Sequence, residues 1–474
     1  MTGELVVVLD IGKTMSKLTL WTKEGELLAR ETRVNERIDA GAYAALDVAG
    51  IEAWLALVLS DFGRRGSIGS IIPVGHGAAA AIIRGGALAL PPMDYEQAIP
   101  AEDRELYAGQ RSRFSETGSP FLADGLNLGA QLHFIERLKP EVLGPGALIL
   151  PWAQYWAWRL SGVAASEVTS LGCHTDLWNP RAGKPSQLAW SRGWASLMPR
   201  LRKAGDVLGP LSPEWVERTG LSGATSVHCG LHDSNAALLA ARGFDEIAGR
   251  DATIMSTGTW FVAMRTPGAG CFVDPVLLPA ARDTLINVDV SGRMIPSARF
   301  MGGREIELLT GRDTRRIDIK ADQADIVAAT RSVLEQGARV LPTFAPGFGP
   351  FAAHCGRWID KPTDQASLRA AVSLYAALVA DVSLGLIGAG GCLLVEGRFA
   401  EAEVFVRALA ALRPNDKVYR ANAHNDVSFG ALRLLQPGLR PSGGLELIQP
   451  LALPIENYRE RWHDDVAGAL EAVS

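Results

Sequence analysis

Residues 4–21 read Glu4-Leu-Val-Val-Val-Leu-Asp-Ile-Gly-Lys-Thr-Met-Ser-Lys-Leu-Thr-Leu-Trp21. Leu5 to Leu9 is an unbroken apolar run of strand type, Asp10-Ile-Gly-Lys-Thr14 interrupts it with a glycine, and Leu18-Thr-Leu-Trp21 resumes as a second strand. After the Glu24-Gly25 turn, Glu26 to Val34 is a third candidate strand. Three strands joined by tight turns predict an antiparallel meander. A dinucleotide-binding fingerprint requires its glycine turn to open a helix; this one opens a strand, which argues against a Rossmann domain.

The same grammar returns at Ala252 to Met264, where Thr253-Ile-Met255 runs into Ser256-Thr-Gly-Thr259 and out through Trp260-Phe-Val-Ala263. A lone glycine turn between strands usually only reverses the chain. Two of them, one at the head of each half, predict a pair of backbone cradles able to approach phosphate closely from both sides of a cleft. Between them the pattern is helical over Ala44 to Phe62, Gly129 to Leu138 and Ala153 to Leu160. Further on it predicts a strand at Leu285 to Val290, a helix near Glu305, helices at Asp322 to Gln336 and Ala366 to Ile387, a strand at Leu393 to Val395, and helices at Ala402 to Leu412 and Ser428 to Leu435. The expected fold class is α/β with two domains, 1–245 and 246–435, the boundary falling near Gly243 to Gly249. Residues 436–474, rich in Pro and Gly before a final helix, are expected to form an extension packed on a domain surface.

A chain of 474 residues is too long for one ordinary core, which agrees with two domains. With 47 basic and 52 acidic residues the net charge is −5, and no dense Lys/Arg run is present, so nucleic acid and membrane surfaces are not expected partners. The start, MTGELVVVLD, lacks the basic and long apolar regions of a secretory signal, and a cytoplasmic location is expected. The most apolar window, Ala370 to Val395, is broken by Asp381 and by Gly385, Gly388, Gly390 and Gly391, which predicts a buried helix, a turn and a strand rather than a membrane span. Five scattered cysteines without CxxC spacing read as small buried hydrophobes in a reducing compartment.

Seven segments then occur in a familiar order: Asp10-Ile-Gly-Lys-Thr-Met-Ser-Lys17, Gly75-His-Gly77, Met93-Asp-Tyr-Glu96, Leu150-Pro151 with Trp158-Arg-Leu-Ser-Gly162, Gly230-Leu-His-Asp233, Ser256-Thr-Gly-Thr259 and Val395-Glu-Gly397. In this order the chain resembles the FGGY carbohydrate kinases from about residue 5 to about residue 435. The resemblance implies two actin-like (ribonuclease-H-like) domains, ATP and Mg2+ in an interdomain cleft, a small-molecule sugar held mainly by the first domain, and transfer of the γ-phosphoryl group to a sugar hydroxyl. It leaves the oligomeric state open, a homodimer included.

What the resemblance implies for single residues is as follows. Asp233 is the expected catalytic base; the alternative is an N-cap carboxylate without chemistry. Asp10 ends a strand beside a phosphate turn, where a carboxylate repels ATP unless a cation intervenes, so Asp10, with Asp233, is the expected magnesium ligand; the alternative is a strand-end Asp satisfying turn amides. Gly12, Thr14, Ser256, Thr257, Gly258 and Thr259 are the expected phosphate cradle. Lys13 stands where relatives commonly carry Thr, and serves either as a point charge on phosphate or as a solvated turn lysine. Lys17 takes a position where relatives often carry a basic residue on the substrate side. His76, Gly77, Asp94 and His232 are the expected sugar contacts. The Arg that often follows Asp94 in relatives is absent. Cys173-His-Thr-Asp176 falls where relatives close the sugar pocket and is given no role. On the adenine side, relatives show three glycines followed by polar residues; here Val395-Glu-Gly-Arg-Phe399 leaves only Gly397 to lie against a base. The expected acceptor is a ketose of pentulose or 6-deoxyhexulose type such as L-rhamnulose or L-fuculose. Rival readings are an actin- or chaperone-type ATPase switch, a catalytically silent sugar sensor, and a phosphatase on the same fold.

Overall fold

The structure, a computed structural model, describes residues 4–314, 319–421 and 427–471. They fall into two compact units: Met1–Gly243 with Ile286–Met294 and Asn425–Pro441, and Phe244–Leu285 with Ile295–His424 and Ser442–Ser474. Both are discontinuous, where the order of strands and helices along the sequence predicts contiguous blocks.

Unit 1 is built on the opening meander. β1 (Leu5–Ile11) pairs antiparallel with β2 (Met15–Trp21), which pairs antiparallel with β3 (Leu27–Val34). On its other side β1 runs parallel to β4 (Ile68–Gly75). A strand flanked on both edges and covered on both faces must be apolar throughout, and every residue of β1 is buried. Alternate residues serve opposite faces. Val7 and Leu9 join the cluster containing Ile51, Leu55 and Phe62 of α1 (Val48–Arg65) and Trp156 of α2 (Trp152–Ser161). Val6 and Val8 join the one containing Ala236, Ala240, Phe429 and Leu432. Each such side chain contributes about 1.5–3 kcal/mol by leaving water. The helical pattern read from Ala44 starts late: Ala44–Leu46 pairs as a short strand with Arg37–Asp39, and Asp47 caps α1 by accepting the N–H of Gly50 at 2.9 Å.

The sheet is completed by β5 (Val207–Pro210), β6 (Ser226–His228) and β7 (Leu231–His232), in the order β5-β6-β4-β1-β2-β3 with β7 also on β4. α3 (Asp233–Ala241) follows β7 directly. Register opposes Ile11 to Gly75 and Gly75 to His232 across three parallel strands. Their carboxyl ends, where parallel sheets bind ligands, therefore bring Asp10, His76 and Asp233 to one edge.

Unit 2 repeats this plan. β8 (Ala252–Thr257), β9 (Phe261–Thr266) and β10 (Met294–Phe300) lie side by side as two antiparallel pairs, with the strand Thr284–Val288 falling between β9 and β10 along the chain. α4 (Gly302–Thr310), α5 (Gln323–Gln336) and α6 (Gln365–Leu386) precede β11 (Cys392–Gly397), which is parallel to β8. Then come α7 (Glu403–Leu412) and β12 (Lys417–Ala421), parallel to β11. α6 is long and apolar enough to cross a membrane, but 83% of its most apolar window is buried inside the protein.

The tail is more than a surface extension. Leu445–Leu447 forms β13, antiparallel to β12, and α8 (Glu456–Glu471) drives Tyr458 and Trp462 into the core of unit 2. Asn425–Pro441 belongs to unit 1, where Phe429 packs on Trp21 at 6.1 Å. None of the five cysteines forms a disulfide; Cys173, Cys229 and Cys392 are buried as expected, whereas Cys271 and Cys355 are exposed.

Candidate active site

The first glycine turn closes on itself. Gly12 N–H donates to Met15 O at 3.1 Å, and Asn35 braces the loop by donating Nδ2–H to Gly12 O at 2.8 Å and backbone N–H to Thr14 O at 2.9 Å. The Gly12 amide is thus engaged inside the turn, and the Thr14 hydroxyl, exposed, is what the turn presents. Asp10 is buried, with its Oδ2 3.4 Å from Lys17 Nζ.

Lys13 is neither solvated nor free. Its Nζ lies 3.3 Å from Asp94 Oδ1, in contact with Glu96, and 4.7 Å above the Tyr95 ring. Asp94 is fully buried and takes a second cation, Arg37, whose Nε is 2.8 Å from Oδ2. The arginine missing after Asp94 in the sequence is supplied from another element. Asp94 Oδ1 also accepts the Glu96 N–H at 2.8 Å.

His76 lies within electrostatic reach of both Asp94 and Asp233. Its Nδ1 is 2.8 Å from Gly77 O, so this nitrogen carries the proton and Nε2 keeps a lone pair; Nε2 is buried and has no partner among the described residues. Burial holds its pKa below the ordinary histidine value against the opposing pull of Asp233 and Asp94, with His232 also near enough to act on it. Tyr95 stands edge-on at 5.5 Å and Trp152 at 6.0 Å. Asp94, Asp233, His76 and His232 are therefore gathered in one place within unit 1.

Asp233 is the first residue of α3 and His232 holds the N-cap position, so Asp233 is not a cap. Its Oδ1 accepts the Ser234 N–H at 2.5 Å and the Ser234 hydroxyl at 3.2 Å, and lies 3.1 Å from His232 Nε2. Oδ2 has no hydrogen bond among the described residues. One oxygen is held and the other is open, on a side chain 30% exposed. His232 is kept neutral by burial, and its Nε2 is also 3.3 Å from Cys173 Sγ. Gly77 is required here: a Cβ on it would stand 2.6 Å from Cys173 Sγ and 2.9 Å from His232 Nε2. The Cys173 segment, given no role by the sequence, walls this histidine; Asp176 within it is a structural anchor, bound by Arg111 and Tyr107.

The second turn, in unit 2, is built like the first. Gly258 N–H donates to Trp260 O at 3.0 Å. Thr257 does not offer its hydroxyl outward: Oγ1–H donates to Glu396 O at 2.5 Å and Oγ1 accepts the Phe399 N–H at 3.1 Å, stitching β8 to β11. Ser256 and Thr259 are exposed, and their hydroxyls make no hydrogen bond among the described residues. Gly397 has φ +85°, and a Cβ there would meet Thr257 O at 2.4 Å, so its role in holding the strands together needs no ligand. Glu396, opposite Ser256 in register, has its pKa pushed up to about 7 by burial.

Residues 249–442 match the FGGY carbohydrate kinase C-terminal domain. A carbohydrate kinase from Novosphingobium aromaticivorans is 53% identical over 99% of both chains, with a TM-score of 0.94. The chain belongs to the FGGY carbohydrate kinase family. The kinase shares its fold, at lower identity, with a xylulose kinase from Rhodospirillum rubrum (18% identity, TM-score 0.78, 99% of both chains) and with Plasmodium falciparum glycerol kinase with ADP (14%, 0.78, 99% of both). No curated protein matches it. It is thus a two-domain α/β protein of the actin-like fold, a sugar kinase of a family that uses ATP. Among the described residues no group of three or more metal-ligating side chains is gathered. Mg2+ bound through one or two carboxylates, phosphate and water needs none, and the Asp10 carboxylate and open Asp233 oxygen suit that mode.

Proposed function

We propose that this kinase phosphorylates a neutral ketose, of pentulose or 6-deoxyhexulose type such as L-rhamnulose or L-fuculose, with Asp233 as the base. The observation that carries the reading is the divided Asp233 carboxylate, Oδ1 tied to Ser234 and His232 and Oδ2 open, beside His76 and Asp94. Oδ2 orients the acceptor hydroxyl and takes its proton as the bond to phosphorus forms, because a carboxylate is too weak a base to strip an alcohol beforehand. His76 Nε2 accepts a second hydroxyl. Asp94 accepts a third through whatever capacity Lys13 and Arg37 leave it. Those two cations are committed to Asp94, with Glu96 also on Lys13, which favours an uncharged sugar over a sugar acid. Tyr95 and Trp152 offer apolar surface to a C–H face or methyl group.

Thr14 is proposed to offer phosphate a hydroxyl from its turn, and Ser256 and Thr259 to do the same from theirs, with Gly12, Gly258 and Gly397 shaping the turns and Thr257 bracing one. Mg2+ held by Asp10 and Asp233 would offset phosphate charge. A cytoplasmic location belongs to the same reading, since five cysteines without a disulfide suit a reducing compartment.

The test is ADP release over a panel of L-rhamnulose, L-fuculose, D-xylulose, aldoses and polyols, with Asp233→Asn alongside. A ketose is expected to give the highest rate, and the variant to lose at least about a hundredfold in turnover while binding ATP normally. Near wild-type turnover in the variant would overturn the assignment of the base.

A further inference from the structure

Glu167 lies outside the residues proposed to face the sugar, yet it is a buried acid tied to one of them through a short chain of hydrogen bonds. It is completely buried. Its Oε2 accepts the N–H of Thr169 at 2.9 Å, the N–H of Ser170 at 3.1 Å and the Thr169 hydroxyl at 2.6 Å, while Oε1 is buried with no partner among the described residues. Capping the four-residue helix Val168–Leu171 does not by itself call for a buried glutamate; an exposed Ser or Asp satisfies such amides. The further connection is Thr169 Oγ1, which accepts the backbone N–H of His232 at 3.0 Å. A hydroxyl has one proton to give, and here it goes to Glu167, so the direction of the chain is fixed: His232 N–H to Thr169 Oγ1–H to Glu167 Oε2. The His232 amide is the last backbone donor before Asp233, and the His232 ring touches Asp233 Oδ1 at 3.1 Å.

We propose that Glu167 is a positioning residue for phosphoryl transfer, fixing the His232–Asp233 pair through the Thr169 hydroxyl. This rests on Asp233 being the base. Linked hydrogen bonds strengthen one another in a low-dielectric interior, so an ionised Glu167 makes Thr169 a better acceptor for the His232 amide than a protonated one does. Burial pushes the Glu167 pKa up to about 7, against the pull of the Thr169 and Ser170 donors. The titratable group facing it is the Cys229 thiol, itself pushed up by burial and so neutral; the nearby charges on Arg202 and Asp206 are paired with each other at 3.0 Å. Glu167 thus gains charge as pH rises through about 7, and the anchoring of His232 tightens in that interval.

The experiment uses the full-length enzyme and whichever of L-rhamnulose, L-fuculose and D-xylulose gives the fastest ADP release. The wild type is expected to show a rise in kcat between about pH 6 and pH 8, and Glu167→Gln is expected to remove that rise, lower kcat about tenfold and leave KM for sugar and ATP within about twofold. Thr169→Val is expected to match it, Thr169→Ser to restore most of the turnover, and the Glu167→Gln/Thr169→Val pair to be no worse than either alone, as for members of one chain. A Glu167→Gln enzyme that melts earlier but keeps its kcat and pH profile overturns the proposal. If that variant does not fold, the comparison of Thr169→Val with Thr169→Ser decides: equal turnover overturns it. The two readings separate cleanly. An active Asp233→Asn enzyme sinks the base, whereas an inactive one together with normal Glu167→Gln and Thr169→Val enzymes sinks the positioning role alone.

Discussion

Lys13 Nζ stands 3.3 Å from Asp94 Oδ1, joining a residue of the first glycine turn to a fully buried acid some eighty positions along the chain. The lysine of the first glycine turn is, in this protein, turned towards Asp94, the acid proposed to contact the sugar.

Replacing Lys13 by Met is therefore expected to raise KM for the sugar at least about fivefold and KM for ATP by less than about twofold. It also strips one of two cations from a buried carboxylate, which costs about 1–3 kcal/mol, below the range for a wholly unpaired charge because Arg37 remains. Steady-state kinetics with each substrate varied separately provide the check. A rise confined to KM for ATP would place Lys13 on phosphate instead.

Gly77→Ala introduces a Cβ 2.6 Å from Cys173 Sγ and 2.9 Å from His232 Nε2. The fold can absorb this only by moving Cys173 and His232, the second of which contacts Asp233, so kcat/KM for the sugar is expected to fall by more than about tenfold while the melting temperature changes little. Cys173→Ala makes room, and the double variant is expected to recover part of the loss. No recovery would show that the pair is not what the methyl group displaces.

Thr257→Val keeps the shape and removes the hydroxyl that links β8 to β11 through Glu396 O and Phe399 N–H. Leaving those two groups without their partner is expected to cost about 1–3 kcal/mol of stability and to loosen the second turn, raising KM for ATP. Thr257→Ser should be close to the wild type. Denaturant unfolding of both variants tests this, and a valine variant as stable as the serine one would contradict it.

Glu396 provides a pH signature. Its folded pKa, about 7, lies above the ordinary 4.5 because burial penalises the charge. The stability tied to its protonated form is complete below about pH 4.5 and is lost as pH rises through about 7. Glu396→Gln cannot ionise, so it should melt close to the wild type at pH 5 and several degrees above it at pH 8. Melting curves that shift in parallel at both pH values would rule this out.

How much of this was legible beforehand differs by residue. The antiparallel meander, its copy in the second half and the apolar helix before β11 follow from period and run length alone, because burial on both faces of a strand leaves a mark that no context can hide. Asp10, Asp233 and the glycine turns were marked by segments of distinctive order. Glu167, Thr169, Arg37 and Asn35 carried no such mark. Each is an ordinary polar residue whose importance lies in a partner far away in sequence: Thr169 with His232, Arg37 with Asp94.

The sequence by itself determined the class of fold and the family, since these depend on local periodicity and on motifs of a few residues. Tertiary structure alone decided that Lys13 serves Asp94, that the Thr257 hydroxyl is spent on a neighbouring strand, and that segments 286–294 and 425–441 return to the first unit. The reason is physical: periodicity records how much of a residue is buried, whereas the identity of the group that meets it depends on strand register and helix packing, which join positions that have no relation along the chain.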